Sequence, residues 1–470
     1  MLPTPKNYAV YPSVFPVGEE VTVTVLAEEP CFIPPDGALF TLTFRPVDGD
    51  EDYYAPHLFE KKTVEAKDGA LRVSCVFEAE SEYILTVERD GVRQASLPFY
   101  ALDKDLFALR PMKGDLHTHS YRSDGARDPA SLAGHFREQG YDFFALTDHN
   151  RYYPGNEIDA VFAGVGTELL HVPGEEVHTP GSVLHIVHMG GDRSVAHRYI
   201  HEREAYEKEV GGYLSRVPET VPEEYRDRYA RAMWATDQIH AAGGLAVLAH
   251  PLWRAGGRSI NIPVPFARLL LASGMFDAFE VFGGIDQPLN DRQVALWQEM
   301  REQGTRIPVV GSSDVHHLQN AFSFPYNFTV AFVRERTVKG VLDAVRESNT
   351  VAVLMSGEES ARRHECVGSL RFVSYAQFLL HYYFPNLARI ASSEGVLMRA
   401  YAMGDADAKA GIEAVARAAR TYRARFFGDA QPPLPGSDLC ARAERFRRMQ
   451  IEEGPLTRGS KIDGAENRQI

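Results

Sequence analysis

Residues 115–125 read DLHTHSYRSDG. In extended chain, side chains two residues apart point the same way, so His117 and His119 offer two imidazoles to one point. Alone the pair says little, because strand histidines are often satisfied by ordinary hydrogen bonds. Its company decides the reading. Five residues on, the SDG turn can bring the Asp124 carboxylate back toward the strand end. ALTDHN adds Asp148 and His149, LLHVPGEEVH adds Glu175 and Glu176, and VLHIVHMG adds His185 and His188. His250 follows the apolar run GLAVLA, and VVGSSDVHH ends in Asp314, His316 and His317. At least five apolar runs thus end in donors that hold divalent ions. Imidazole and carboxylate without thiolate suit Zn²⁺, Mn²⁺ or Fe²⁺. Such ions, held side by side, activate water and stabilise the attacking and leaving oxygens of an in-line displacement. The cysteines Cys31, Cys75, Cys366 and Cys440 lie outside these segments and suggest neither a zinc knuckle nor a disulfide framework.

Those donors need a scaffold that gathers strand ends. From 111 to 355, strand-like runs such as FFALTDHN, AFEVFGG and IPVVGSSD alternate with helical stretches such as DPASLAGHFREQG, where Asp128 is placed as N-cap and Pro129 at the first helical position. This rhythm predicts a parallel α/β barrel or open sheet, in which chemistry collects at the C-terminal ends of the strands. Of the 17 histidines, 14 fall between residues 111 and 320. Residues 192–232 interrupt the rhythm with a charged, Tyr- and Glu-rich insertion, read as a solvated helical excursion or a lid. Residues 1–105 carry short alternating runs (EEVTVTVLAEE, ALFTLTFRPV, LRVSCVFEAE, EYILTVERDG) that predict a β-sandwich of immunoglobulin type. Residues 356–470 predict a helical extension, with Ile412, Val415, Ala416, Ala419, Tyr422 and Phe426 on one apolar face and a polar tail at the end.

A chain of 470 residues exceeds what one core usually covers, so several domains are expected. The formal charge of −14 opposes binding to a nucleic-acid polymer or an anionic membrane. The N-terminus lacks the basic start and apolar core of a leader, and no apolar run reaches the roughly 18 residues of a span, so a cytoplasmic protein is expected.

The ordered motifs resemble those of the polymerase and histidinol phosphatase (PHP) family: DLHTHSYRSDG the first, ALTDHN the second, PGEEVH with VLHIVHMG the third region, VLAHP and VGSSDVHH the last two. There is also some likeness to the carbaryl-hydrolase branch, whose members carry additional domains. The resemblance implies a distorted seven-stranded (β/α) barrel holding two or three divalent metal ions. One ion would take His117, His119, Glu176 and Asp314. A second would share Glu176 and take His185 and His250, and a third would take Asp124, His149 and His316. Glu176 is chosen over Glu175 by the family's Gly-x-Glu spacing from Gly174. Asp148, His188 and His317 remain to orient ligands, with Asp148 and His317 also expected to serve catalysis.

Phosphoryl transfer needs mostly positioning and charge neutralisation, and arginine forks fit phosphate. The loop PLWRAGGRSIN supplies Arg254 and Arg258, and the first motif supplies Arg122. All three are expected to bind substrate, Arg254 at the reacting group. The expected function is a phosphoesterase using metal-bound hydroxide on a small phosphorylated metabolite or nucleotide. Hydrolysis of a carboxyl ester, amide or carbamate on the same centre is the alternative, followed by a metal-containing binding protein without catalysis. A polymerase-associated nuclease fits the charge less well.

Overall fold

The computed structural model describes residues 7–48, 60–255, 259–318, 323–357 and 362–453. They fall into two compact units, one of Leu2–Lys104 with Ala424–Ile470 and the other of Asp105–Arg423. The helical stretch after residue 356 is therefore divided between them.

The smaller unit contains strands β1 (Tyr8–Tyr11), β2 (Val14–Pro16), β3 (Glu20–Ala27), β4 (Leu39–Pro46), β5 (Glu60–Glu65), β6 (Ala70–Val76), β7 (Ser81–Arg89) and β8 (Val92–Leu102). They form two sheets, ordered β1-β3-β6 and β2-β8-β7-β4-β5. Alternation does the work: in β7, Ser81, Tyr83, Leu85 and Val87 are buried while the residues between them are partly exposed. Both sheets contribute to one core, in which Phe15, Phe77 and Phe99 meet at ring separations of 5.0–5.4 Å.

The larger unit, after the one-turn helix α1 (Lys104–Phe107), is built on β9 (Arg110–Asp115), β10 (Phe143–Leu146), β11 (Leu170–Val177), β12 (Ile186–Gly190), β13 (Gly244–Leu248), β16 (Ala278–Phe282), β17 (Val309–Gly311), β18 (Asn327–Val333), β19 (Thr350–Ser356) and β20 (Arg363–Val367). The two-residue strands β14 (Arg254–Ala255) and β15 (Ser259–Ile260) form a separate hairpin. The ten-stranded sheet runs β17-β16-β13-β12-β11-β10-β9-β18-β19-β20. It is longer than seven strands and mixed in direction. β9, β10 and β11 are parallel neighbours, as are β13, β16 and β17, but β12 turns back antiparallel between β11 and β13. No helix intervenes between β11 and β12, so the chain makes no crossover there.

Edge strand β17 is fastened to β18 and β19 by side chains. The Thr329 hydroxyl accepts from Gly311 N at 2.9 Å and lies 2.8 Å from Gly311 O, and the Thr350 hydroxyl donates to Val309 O at 2.9 Å. The sheet therefore curls.

Helices cover it. α2 (Pro129–Glu138) begins as the sequence reading expects, with the Asp128 side chain accepting from Ala130 N and Ser131 N. α3 (Gly155–Val161) follows β10. The insertion folds into α4 (Ala196–His201), α5 (Arg203–Leu214) and α6 (Glu223–Ala241). It is not a solvated excursion: Tyr206 and Trp234 are fully buried and meet edge to face at 4.7 Å. Further on come α7 (Val264–Ala272), α8 (Gln287–Glu302), α9 (Val338–Arg346), α10 (Leu370–Tyr382) and α11 (Phe384–Ala402). α11 lies directly on α2, where a Cβ at Gly395 would sit 2.2 Å from Glu138 N, so only glycine fits. At that crossing, buried Arg137 and Glu394 pair at 2.7 Å. α12 (Ala408–Phe426) continues the chain, and α13 (Ser437–Glu453) packs in the smaller unit, where Arg447 donates to Ile33 O at 2.7 Å. Among the described residues no helix is long and apolar enough to cross a membrane.

Candidate metal centre

The polar cluster sits where β9, β10, β11, β13 and β17 end. His117 and His119 lie just beyond β9, still extended, with His119 N donating to Val315 O at 3.1 Å and Asp314 N to His117 O at 2.9 Å. Both imidazoles present Nε2 to the same two acids. His117 Nε2 is 3.3 Å from Glu176 Oε2 and 3.4 Å from Asp314 Oδ1; the His119 distances are 3.4 and 3.0 Å. On the other oxygen of Glu176, His185 Nδ1 stands at 2.8 Å and His250 Nε2 at 3.4 Å. Asp124, on its turn, meets His149 Nε2 and His316 Nε2 at 3.3 Å each. The structure thus gathers all nine residues of the expected ligand set around Glu176. His250 and Asp314 hold positive φ angles of 22° and 50°, and Asn150, next to His149, one of 55°. Such backbone persists only where its surroundings enforce it.

Buried polar atoms are ordinarily paired. Here His117 Nε2, His119 Nε2, His149 Nδ1, His185 Nδ1, Asp314 Oδ1 and both oxygens of Glu176 are buried without a hydrogen-bond partner. Donor atoms about 2.0–2.2 Å from one ion stand roughly 3 Å apart, which is the spacing of the His117, His119, Glu176 and Asp314 group. The donor set fits divalent cations.

Electrostatics say the same. Burial opposes charge on His117, yet Asp314, Glu176 and Glu280 outweigh it and raise its pKa well above the ordinary imidazole value. Burial also opposes charge on His250, but Glu176, Asp314 and Glu280 push its pKa up to about 9. Asp314 and Glu176, despite burial, are held below the usual carboxylate range by the histidines around them. Burial prevails at His119 and His185, whose values fall to about 4. Concentrated negative charge draws cations.

Four further acids separate by direction. Glu280, absent from the sequence reading, lies 1% exposed, with Oε1 3.1 Å from His117 Nδ1 and Oε2 accepting from His250 N at 2.9 Å. Its signal was an acid inside the apolar strand AFEVF. Asp115 accepts from His117 N and Ser313 N at 3.1–3.2 Å, joining the first and last ligand segments. Asp148 accepts from Ser120 N at 2.8 Å, Ser120 Oγ at 2.7 Å and Ser123 Oγ at 2.6 Å, so its carboxylate holds the turn that carries Asp124. Glu175 faces away from the cluster: it lies 3.3 Å from His188 Nδ1 and accepts from Ser194 Oγ and Val195 N at 2.8 and 2.5 Å, at the start of α4. His188 belongs to that arrangement. His178, also absent from the sequence reading, places Nε2 3.5 Å from Glu176 Oε2.

A cleft of about 330 Å³ opens over the cluster, with Trp253, Val315, His316 and His317 in its walls. His317 is exposed there. Arg254 is exposed on β14 beside Trp253 but is not in the cleft wall, and Arg258 lies outside the described residues. Arg122 is engaged with Glu157 at 2.7 and 2.8 Å and lines a neighbouring cleft of about 780 Å³, which shares His149 and includes Arg151, Tyr153 and His201.

No protein-family model matches the chain. Among curated proteins it is 28% identical over 195 residues to a 5'-3' exoribonuclease of Haemophilus influenzae, covering 30% of this chain and 69% of that protein. It is 42% identical over 53 residues to the DNA polymerase/3'-5' exonuclease PolX of Bacillus subtilis, covering 11% of this chain and 9% of that one. Among solved structures it is similar to a two-domain protein of Bacteroides vulgatus containing a "predicted PHP-like metal-dependent phosphoesterase", at 18% identity and a TM-score of 0.36, over 52% of this chain and 65% of that one. The fold and site define a mixed α/β protein with a buried cluster of histidines and carboxylates at its strand ends.

Proposed function

We propose that the chain is a PHP-type metal-dependent phosphoesterase acting on a small phosphorylated metabolite or nucleotide. One observation carries this reading: buried, unpartnered imidazole and carboxylate atoms converge on Glu176 beneath an open cleft. His117, His119, Glu176 and Asp314 would hold one divalent ion, Glu176, His185 and His250 a second, and Asp124, His149 and His316 a third. Bound Zn²⁺, Mn²⁺ or Fe²⁺ supplies Lewis acidity that neutralises phosphoryl oxygens and lowers the pKa of water.

The protein's own groups do the rest. Glu280 fixes the orientation of His117 through Nδ1, and Asp148 fixes the turn bearing Asp124. His317, exposed on the cleft wall, would give a proton to the leaving oxygen. Arg254, exposed beside Trp253, would bind outer phosphoryl oxygens together with Arg258, and the larger cleft with Arg122 would receive the part of the substrate that does not react.

The relatives from Haemophilus influenzae and Bacillus subtilis are nucleases, which favours a nucleotide phosphodiester among the possible esters and raises a second reading, cleavage at the end of a short oligonucleotide. A long polymer meets repulsion from a chain of formal charge −14.

The test is turnover by the protein loaded with Mn²⁺ or Zn²⁺ on a nucleoside monophosphate, a sugar phosphate, a phosphodiester, a short oligonucleotide and an aryl carboxyl ester. Phosphate esters should turn over, the double variant His117→Ala, His119→Ala should be inactive, and Arg254→Ala with Arg258→Ala should raise KM without lowering metal content. Turnover of the carboxyl ester alone would replace this reading with carbonyl hydrolysis.

A further inference from the structure

His149 faces two ways. Its Nε2 meets Asp124 Oδ2 at 3.3 Å, while its Nδ1 meets Glu176 Oε2 at 2.6 Å. On the second side stands His178, whose Nε2 lies 3.5 Å from the same Glu176 oxygen and whose ring is 4.4 Å from that of His149. His149 Nδ1, His178 Nε2 and Glu176 Oε2 are all buried without a hydrogen-bond partner. The His178 ring stacks on His185 at 3.7 Å, and its backbone N–H donates to Asn150 Oδ1 at 2.9 Å. His149, Glu176 and His178 therefore offer two imidazole nitrogens and a carboxylate oxygen to one point, as Asp124, His149 and His316 do on the other side.

A neutral imidazole has one nitrogen lone pair free to bind a cation and one N–H. His149 therefore serves a cation through Nε2, beside Asp124 and His316, or through Nδ1, beside Glu176 and His178, but not both at once. We propose that His149, Glu176 and His178 form an alternative seat for the third divalent ion, mutually exclusive with the Asp124 seat and selected by the tautomer of His149. The inference rests on the metal-centre reading above and adds a ligand to it. Ligands about 2.1 Å from one ion lie about 3 Å apart, so Nδ1 and Oε2 must part by a few tenths of an ångström to admit it. The partial exposure of His178, at 27% of its side chain, leaves that ring room to adjust.

The experiment counts ions. Wild type, Asp124→Ala, His178→Phe and the double variant are loaded with Mn²⁺ or Zn²⁺, freed of excess by gel filtration, and assayed by elemental analysis, with circular dichroism confirming the fold. Phenylalanine keeps the ring stacked on His185 while removing the donor nitrogen, and His178→Ala serves as a second variant should the first misfold. If one ion has two seats, each single variant keeps the wild-type number and the double variant loses one equivalent. Loss of one equivalent in Asp124→Ala alone, or full retention in the double variant, overturns the alternative seat. Wild-type protein that retains no metal overturns the metal-centre reading itself, a different result from either.

Discussion

Glu280 Oε1 lies 3.1 Å from Nδ1 of His117, the ring nitrogen opposite the one that faces Glu176 and Asp314. Because the other oxygen of Glu280 accepts from His250 N, one buried carboxylate fixes His117 just beyond β9 and the segment bearing His250 after β13. Removing such a partner typically costs about 10–100-fold in metal affinity. Glu280→Gln should weaken binding at the His117 position by that factor, read by competition with a chelator. Unchanged affinity would reduce Glu280 to a packing residue.

Glu175 and Glu176 are neighbours with separate tasks. Glu176→Gln should lower metal content and abolish turnover. Glu175→Gln should leave metal content intact and loosen α4, where Glu175 accepts from Ser194 and Val195. Elemental analysis and limited proteolysis between residues 192 and 222 separate the two. Equal metal loss in both variants would mean that the glutamates share one role.

The Arg137–Glu394 pair, fully buried at 2.7 Å, joins α2 to α11, and Glu394 also accepts from Thr167 Oγ1 and Glu168 N at 2.8 and 2.7 Å. Breaking such a pair strands a buried charge. Glu394→Ala should destabilise the larger unit by about 3–5 kcal/mol in urea denaturation. A cost under about 1 kcal/mol, ordinary for a surface pair, would contradict the burial.

The metal-free protein should lose stability in alkali. His250, opposed by burial but raised to about 9 by Glu176, Asp314 and Glu280, contributes stability that is fully present below its unfolded value near 6.5 and lost as pH rises through 9; His117, raised by Asp314, Glu176 and Glu280, adds to this with the same sign. His119 and His185, lowered to about 4 by burial, act oppositely: their cost grows as pH falls from 6.5 toward 4. Thermal unfolding of chelator-treated protein should therefore weaken between pH 6.5 and 9, and metal-loaded protein should show a much smaller slope. Parallel slopes would mean that the cluster carries no titrating charge.

The residue types of the candidate cluster and their order along the chain were legible because strand periodicity and strand ends are local properties. HxH in extended chain points two rings one way, and the structure turns both Nε2 atoms to Glu176. What decided the remainder is not local. Glu280 is silent in AFEVF unless one asks why an acid lies within an apolar strand. The turning back of β12 depends on which strand its neighbour is, a long-range matter. The Tyr-rich insertion reads as solvated because its charges are dense, yet Tyr206, with Trp234 just beyond it, sits in the same core as Ile186, Leu248 and Phe279 of the sheet. Arginine reach is equally nonlocal: Arg122 is drawn to Glu157, a partner far along the chain.

Closing one side of the sheet through Thr329 and Thr350, rather than through a backbone ladder, makes the girth of the curled sheet a side-chain property. Asp314 follows β17, the strand so fastened, and His117 follows β9, the neighbour of β18. Between His117 and Asp314 themselves the backbone closes the gap, Asp314 N donating to His117 O and His119 N to Val315 O, while the two hydroxyls brace the strands that lead there. Valine has nearly the shape of threonine and lacks only the hydroxyl, so that brace can be released without altering any residue of the cluster or emptying any core.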